Sequence, residues 1–271
     1  MNRITKKFTE LKSQSRSGFI PFIVAGDPNL ETTKELVLLL AESGASVIEL
    51  GVPFSDPVAD GVTIQAAAER ALLNPISVKD ILRMVAEVRA EECETPIIVF
   101  SYFNPILQFG LERFAVEAVK SGVDGILVTD LVPEEAEEFR TILTAKSMSL
   151  IMLAAPTSSD ERLKKICEKA SGFVYAVSRA GVTGARNETS GDAKTLVERL
   201  RKFTDLPIAV GFGISTAAQI TETCKYADGA VVGSAIVAEI GRLGDSAHLV
   251  KGVREFVRKL LPEEFSADDL H

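Results

Sequence analysis

The sequence alternates between short apolar runs and longer segments that have the periodicity of amphipathic helices. Runs of continuous rather than alternating apolarity are typical of parallel strands that are buried on both faces. Eight such runs are present: Phe19–Val24, Ser46–Val52, Pro96–Ser101, Gly125–Thr129, Ser149–Leu153, Phe173–Ala176, Pro207–Val210 and Gly229–Val232. Eight strands that alternate with helices leave two main folds, a closed (β/α)8 barrel and an open doubly wound sheet.

The segments between the runs carry the spacing of helices with one apolar face. Seven of them predict helices: Asn29–Glu42, Val78–Glu91, Leu111–Ser121, Glu134–Ala145, Asp160–Lys169, Asp192–Phe203 and Thr216–Lys225. Residues 1–12 predict a further helix at the N-terminus, with Ile4, Phe8 and Leu11 on one face.

The turns after the strands favour the barrel over the open sheet. Residues 26–28, which follow the first run, form a turn signal and not the GxGxxG loop of a dinucleotide-binding sheet. Glycine-bearing turns follow the seventh run (211–215) and the eighth (233–234), where barrels bind phosphate. We therefore predict a single (β/α)8 TIM barrel over residues 1–271, with the N-terminal helix, additional short helices and a flexible acidic tail at 262–271.

Composition excludes several classes of protein. The net charge is −8 and the acidic residues are mixed among the basic ones, which argues against a nucleic-acid-binding face. No apolar run reaches the roughly 18 residues of a membrane helix, and residues 1–12 lack the apolar core of a signal peptide. Three cysteines without CxxC spacing and two distant histidines predict neither disulfides nor a metal site. A cytosolic protein is expected, with a plastid as the alternative location in a plant.

Glu49 is the exceptional residue of the strands, because it lies inside the otherwise apolar run 46–52. A carboxylate there must face the barrel mouth or be paired, since burying an unpaired charge is costly. Desolvation would raise its pKa and suit it to transfer protons near neutral pH. The alternative is a purely structural ion pair, for example with Arg179.

Asp60 ends a loop that follows the same strand and is stiffened by Pro53 and Pro57. It has two equally supported interpretations on sequence alone. It is either a second carboxylate for acid–base or electrostatic work, or the N-cap of a helix that begins near Val62. Asp56 is interpreted as a turn residue between Ser55 and Pro57.

Two common mechanisms of carbon–carbon bond cleavage lack the residues they need. None of the predicted strands contains a lysine for a Schiff base, and the two histidines, His248 and His271, cannot form a metal cluster. Cleavage by this chain would therefore need a substrate that accepts the electrons itself.

Five segments together resemble the tryptophan synthase α subunit family, and the resemblance covers nearly the whole chain. They are residues 21–28 (PFIVAGDP), 48–61 (IELGVPFSDPVADG), 102–105 (YFNP), 178–184 (SRAGVTG) and 210–214 (VGFGI). The second segment is long and highly specific to this family.

The resemblance implies a retro-aldol cleavage of indole-3-glycerol phosphate to indole and glyceraldehyde 3-phosphate. Glu49 would shuttle protons and Asp60 would bind the indole N–H. The implied indole pocket comprises Phe22, Phe100, Leu127, Thr129, Leu153, Tyr175, Thr183 and Phe212, and the implied phosphate site comprises Gly184, Gly213, Gly233 and Ser234. Residues Arg179–Asp192 resemble a mobile lid. Thr129 departs from the family, which more often has a small apolar residue or proline there.

The resemblance also implies a partner. Family members dock on a β subunit that holds pyridoxal phosphate, in an α2β2 complex, so no cofactor is expected on this chain. Pro53, Asp56, Asn104 and Pro105 match the docking loops. Three alternatives stay open: a lone lyase that releases free indole, a barrel phosphate isomerase, and a degenerate barrel kept only as a scaffold.

Overall fold

Eight parallel strands close into a barrel, and each strand pairs with its neighbours in sequence. The computed structural model describes residues 2–177, 190–211, 213–262 and 265. The strands are β1 (Gly18–Val24), β2 (Ile48–Gly51), β3 (Ile97–Ser101), β4 (Gly125–Val128), β5 (Ser149–Ala154), β6 (Val174–Val177), β7 (Ile208–Gly211) and β8 (Gly229–Val232). Because β8 pairs with β1, the predicted barrel is confirmed and the open sheet is excluded.

Twelve helices surround the barrel in the described part of the chain. They are α1 (Arg3–Ser13), α2 (Leu30–Glu42), α3 (Val62–Leu72), α4 (Val78–Ala90), α5 (Phe103–Phe109), α6 (Leu111–Ser121), α7 (Glu137–Ala145), α8 (Asp160–Lys169), α9 (Ser190–Leu200), α10 (Ala217–Cys224), α11 (Ser234–Leu243) and α12 (Leu249–Leu260). The ends of the seven predicted helices lie within three residues of the observed ends. The largest differences, of three residues, are at the end of α9 and at the start of α7, where the turn after Pro133 continues to Ala136 before the helix begins.

α1 covers the N-terminal end of the barrel. Its buried residues are Ile4, Phe8 and Leu11, as its periodicity predicts, and they belong to the same cluster as the side chains of the barrel interior. The ring of Phe8 lies 5.6 Å from that of Phe173, just before β6. This end of the barrel is therefore filled, and the opposite end is left for a site.

Two aspartates at the N-terminal ends of β4 and β8 share two matching contacts. The Asp124 carboxylate accepts the Ile97 N–H of β3 at 2.9 Å and pairs with Arg89 of α4 at 2.9 Å. The Asp228 carboxylate accepts the Ile208 N–H of β7 at 2.7 Å and pairs with Arg201, which follows α9, at 2.5 Å. Each aspartate ties its own strand to the preceding strand and its helix.

The helices α3 and α11 pack beside each other on β1 at the C-terminal end of the barrel. The buried face of α3 consists of alanines, among them Ala67 and Ala71, which allow the helix to approach the strand closely. They share a small apolar cluster with Phe22 of β1 and Val237 of α11. This packing holds the first turns of both helices at the barrel mouth.

One described residue of the segment predicted as a flexible tail is buried. Phe265 is buried and belongs to the main hydrophobic cluster. Its carbonyl oxygen would lie 3.1 Å from a Cβ added at Gly44, so the chain after α12 returns to the turn that follows α2. The apolar side chain of Phe265 therefore anchors the chain at this point. The rest of 263–271 lies outside the described residues.

Candidate active site

Glu49 lies in the middle of β2, where it pairs in register with Phe22 of β1 and Ile98 of β3. Its neighbours Ile48 and Leu50 belong to the cluster between the strands and the helices. Because side chains alternate along a strand, Glu49 points into the barrel. The sequence pattern therefore places one carboxyl group among apolar side chains at the barrel's centre.

The Glu49 carboxyl is fully buried, and no described residue forms a hydrogen bond with either of its oxygens. Burial raises the pKa of Glu49 well above its ordinary value of 4.5, because a charge without water or partners is costly there. A carboxyl of this kind keeps its proton toward neutral pH and can act as an acid. The alternative pairing with Arg179 lies outside the described residues.

Asp60 ends the loop between β2 and α3, and it does not cap the helix. The N-cap of α3 is Gly61, without a side-chain hydrogen bond, so the interpretation of Asp60 as an N-cap is wrong. The Asp60 carboxylate instead accepts the hydroxyl proton of Tyr102 at 3.2 Å. Burial raises the pKa of Asp60 to about 6, although the Tyr102 hydrogen bond lowers it.

Both carboxyl groups line one cavity of about 150 Å³ at the C-terminal end of the strands. Its walls are formed by Phe22, Glu49, Asp60, Gly61, Ile64, Phe100, Tyr175, Gly213, Ile214, Val231, Gly233 and Ser234. A larger cavity of about 320 Å³ lies beside α1 at the other end, but it contains none of the predicted site residues. Since barrels bind substrates at the C-terminal ends of their strands, the smaller cavity is the candidate site.

Aromatic rings shape this cavity and require glycine next to them. The Phe22 and Phe100 rings meet edge to face at 5.1 Å. A Cβ at Gly51 would lie 2.7 Å from Phe22, and a Cβ at Gly211 would lie 2.0 Å from the Tyr175 hydroxyl oxygen. Burial, and then the charge of Glu49, raises the pKa of Tyr175. Tyr175 and Glu49 line the same cavity.

Three of the predicted phosphate-binding residues, Gly213, Gly233 and Ser234, come from two turns that line the cavity. Gly213, after β7, has a left-handed backbone with φ of 80°, which glycine adopts without strain. Gly233 is the N-cap of α11 and makes no side-chain cap, so no side chain occupies the amides of the first turn of the helix. A helix N-terminus of this kind favours an anion. Gly233 and Ser234 both line the cavity.

Three of the predicted ligand-binding residues are described but are not part of the cavity lining, and three others lie outside the described residues. Leu127 is fully buried in the barrel interior, and Leu153 packs against the same cluster. The Thr129 hydroxyl, which distinguishes this chain from most of the family, donates a hydrogen bond of 3.3 Å to the Ser101 carbonyl oxygen in the backbone of β3. The other three, Thr183, Gly184 and Phe212, lie outside the described residues. So do residues 179–189 of the predicted lid, while its last three residues form the first turn of α9.

Other lining residues had no chemical signal in the sequence. Ile64, Ile214 and Val231 are apolar residues, of a kind that occurs throughout the core. The partner of Asp60, Tyr102, belongs to the family-like segment YFNP, but no role was predicted for it. Of these residues, only Ile64 has a signal in the sequence, because its position one helical turn after Asp60 could indicate that it lines the same cavity.

Of the predicted docking residues, Pro53 and Asp56 lie in the loop after β2, and Asn104 and Pro105 lie in the first turn of α5. Asp56 and Asn104 are exposed, Pro105 is half-buried and Pro53 is buried. Pro53 therefore offers the least surface to a partner. Two apolar side chains nearby in sequence are exposed as well, Val58 at 80% and Leu107 at 50%.

The described ranges contain neither a metal site nor a membrane-spanning helix. No group of histidine, cysteine, aspartate and glutamate side chains there could hold a metal ion. Within the same ranges, no helix is long and apolar enough to cross a membrane.

Comparisons with known proteins agree on one family. The model of the family described as tryptophan synthase alpha chain matches residues 8–262. The tryptophan synthase alpha chain of Geobacter sulfurreducens is 48% identical over 265 residues, covering 95% of this chain and 99% of that protein. The crystal structure of tryptophan synthase subunit alpha from Legionella pneumophila superposes with a TM-score of 0.87 at 36% identity, covering 96% of this chain and 97% of that one.

A second similar structure belongs to an assembly. It comes from the tryptophan synthase α2β2 complex of Pyrococcus furiosus and has a TM-score of 0.83 at 42% identity, covering 90% of this chain and 97% of that one. Since the family model spans most of the sequence and the relatives are matched over nearly their whole length, this chain belongs to the tryptophan synthase alpha chain family.

Proposed function

We propose that this chain cleaves indole-3-glycerol phosphate to indole and glyceraldehyde 3-phosphate in the cavity at the mouth of the barrel. One observation carries the proposal. Two carboxyl groups of different burial, Glu49 and Asp60, come from one strand–loop unit and line the cavity together with Gly213, Gly233 and Ser234. Acid–base groups and a phosphate site thus meet around apolar walls, as a substrate with an aromatic ring and a phosphate requires.

Glu49 would transfer two protons in turn. Protonated Glu49 donates to C3 of the indole ring, which leaves the ring positively charged and Glu49 ionised. The carboxylate then accepts the proton of the hydroxyl on the adjacent glycerol carbon. As that hydroxyl becomes the aldehyde, the bond between the two carbons breaks and its electron pair restores the indole ring. The raised pKa of Glu49 suits the first transfer, and the lack of a competing hydrogen bond among the described residues suits the second.

Asp60 would stabilise the positive ring. With a pKa of about 6 it is mostly ionised at neutral pH, so it can accept a hydrogen bond from the indole N–H and oppose the charge that develops there. The different burial of the two carboxyls separates their roles, because the more buried group keeps its proton and the less buried one loses it.

The substrate would lie with its ring against Phe22, Phe100 and Tyr175 and with its phosphate against the two turns. Amides at Gly213 and at the start of α11 would bind the phosphate, assisted by the Ser234 hydroxyl. Leu127, Leu153 and Thr129 would support this pocket from behind, while Thr183, Gly184 and Phe212 would complete it.

The chain would act in the cytosol with a β subunit, as one of two α subunits in a heterotetramer, and would supply the indole for tryptophan synthesis. Asp56, Asn104 and Pro105 would contact the β subunit, together with the exposed apolar side chains of Val58 and Leu107. Pyridoxal phosphate would be held by the β subunit.

The experiment is to measure indole release from indole-3-glycerol phosphate with and without the β subunit, for the native chain and for Glu49→Gln. We expect Glu49→Gln to abolish indole release while it still folds and binds the β subunit. Glu69→Gln makes the same change at an exposed position of α3 and should retain activity. Near-native turnover by Glu49→Gln would refute the mechanism. Full activity without a β subunit would instead identify a lone lyase.

A further inference from the structure

Tyr102 connects two loops at the mouth of the barrel. It follows β3, is buried to 4% exposure and is the N-cap of α5. Its ring packs on Phe54 at a centroid distance of 5.2 Å. Its hydroxyl oxygen lies 2.8 Å from the Ala59 amide nitrogen and 3.2 Å from a carboxylate oxygen of Asp60. One phenol therefore contacts two consecutive residues near the end of the loop between β2 and α3.

The direction of these hydrogen bonds follows from counting protons. The Ala59 amide can only donate, so the phenol oxygen accepts there. The hydroxyl has a single proton, and the described residues give it one acceptor, the Asp60 carboxylate. The phenol O–H therefore donates to Asp60, and this hydrogen bond is stronger when the Asp60 carboxyl is ionised.

Other contacts of Asp60 hold its backbone and not its carboxylate. The Gln65 side-chain amide of α3 donates to the Asp60 carbonyl oxygen at 2.8 Å. In the described part of the chain, Tyr102 makes the one hydrogen bond to the Asp60 carboxylate. Loss of the phenol would therefore leave the backbone of the loop tethered and the carboxylate without a described donor.

The titratable groups around this pair are few. Glu49 of β2 and Tyr175 of β6 face the same cavity, and Asp130, after β4, lies on the far side of Tyr102, where its carboxylate accepts the Phe103 N–H at 2.7 Å. Burial, and then the charge of Asp60, raises the pKa of Tyr102, so the phenol keeps its proton. The described lining residues include no cation that could pair with Asp60. Burial therefore favours the neutral form of Asp60, and the hydrogen bond from Tyr102 favours the ionised form.

We infer that Tyr102 is a positioning residue whose hydroxyl keeps the Asp60 carboxylate ionised and directed into the cavity. The inference rests on the proposed function in one respect, that Asp60 acts as a carboxylate on a ring that becomes positive.

The test is Tyr102→Phe, which keeps the ring on Phe54 and removes only the hydroxyl. Tyr226→Phe makes the same change at the other end of the barrel and is the matched control. Circular dichroism verifies the fold of each variant. Difference infrared titration of each protein against its own Asp60→Asn derivative then follows the Asp60 carboxyl directly. We expect its pKa to rise by about one unit in Tyr102→Phe, because a hydrogen bond to a charged group is lost.

The same variants are assayed for indole release across pH. In Tyr102→Phe the acid limb of kcat should move up by about one pH unit, with little change in KM, while Tyr226→Phe follows the native profile. A merely structural role would lower activity equally at every pH. An unmoved Asp60 titration in folded Tyr102→Phe overturns the inference. If the native chain with its β subunit releases no indole, the proposed function fails, and the infrared titration alone decides the inference.

Discussion

Replacing Glu49 by glutamine should stabilise the fold while abolishing activity, and the gain should grow with pH. The carboxyl is fully buried without a described hydrogen-bond donor, and its pKa is raised well above 4.5. Between the unfolded and the folded pKa, the folded state holds a proton that the unfolded state releases. Since the folded state then binds more protons, the free energy of unfolding falls as pH rises through this window. Glutamine removes this dependence.

At a given pH, the stability lost through Glu49 has an upper limit that does not depend on how far the folded-state pKa of Glu49 is raised. A difference of one pH unit corresponds to about 1.4 kcal/mol per proton. The ordinary glutamate pKa is 4.5. Between this pH and pH 7, keeping Glu49 protonated in the folded state therefore lowers the free energy of unfolding by at most about 3.4 kcal/mol. This is a considerable part of the roughly 5–15 kcal/mol by which folded domains are stable.

The assay is urea unfolding of the native chain and Glu49→Gln at pH 5.5, 6.5 and 7.5, followed by circular dichroism for the loss of the native state. We expect the stability difference to widen in favour of the variant by up to about 2.7 kcal/mol over these two units. Other carboxyls cancel, because both proteins contain them. Glu69→Gln, at an exposed position, controls for the loss of one carboxyl. A difference that stays constant with pH would refute the conclusion that Glu49 is held protonated.

Two further predictions concern contacts that support the site. Asp27 is 2% exposed and binds Arg70 through two hydrogen bonds of 2.8 and 2.7 Å. Arg70→Gln should cost about 3 kcal/mol in urea unfolding, because it leaves a buried carboxylate unpaired, and a loss below about 1 kcal/mol would contradict this. In Gly51→Ala the new methyl group would meet Phe22 at 2.7 Å. The displaced ring should raise KM more than it lowers kcat in steady-state assays of indole release, and an unchanged KM would show that the ring can move elsewhere.

The strands and most helices could be predicted from sequence because burial on both faces leaves a continuous apolar signal. All eight strands lie where such runs occur, and α6 and α8 begin and end at the predicted residues. Local signals fail where packing decides. α5 is only seven residues long and contains Pro105, so its periodicity is too short to recognise. The buried position of Phe265 depends on a contact with the turn at Gly44, far away in sequence.

Glu49 could be identified as a candidate because a charge in an apolar strand conflicts with its surroundings. Asp60 could not be resolved in the same way, because an aspartate before a helix is ordinary. The structure decides between its two interpretations through Gly61, which is the N-cap, and Tyr102, which lies 42 residues away in sequence. The phenol contacts Asp60 only because β2 and β3 are adjacent in the barrel, and no local pattern records that neighbourhood.

The matching contacts of Asp124 and Asp228 have a consequence for the ancestry of the barrel. The two aspartates precede strands that are four apart, so they stand half a turn from each other around the barrel axis. Each is followed by glycine, accepts the first amide of the preceding strand and pairs with an arginine from the helix or turn before that strand. A barrel made by duplication and fusion of one four-stranded half would carry this device twice, at opposite points. The chemistry, by contrast, is concentrated in the first half, where Glu49 and Asp60 have no counterparts among the residues that line the cavity from the second.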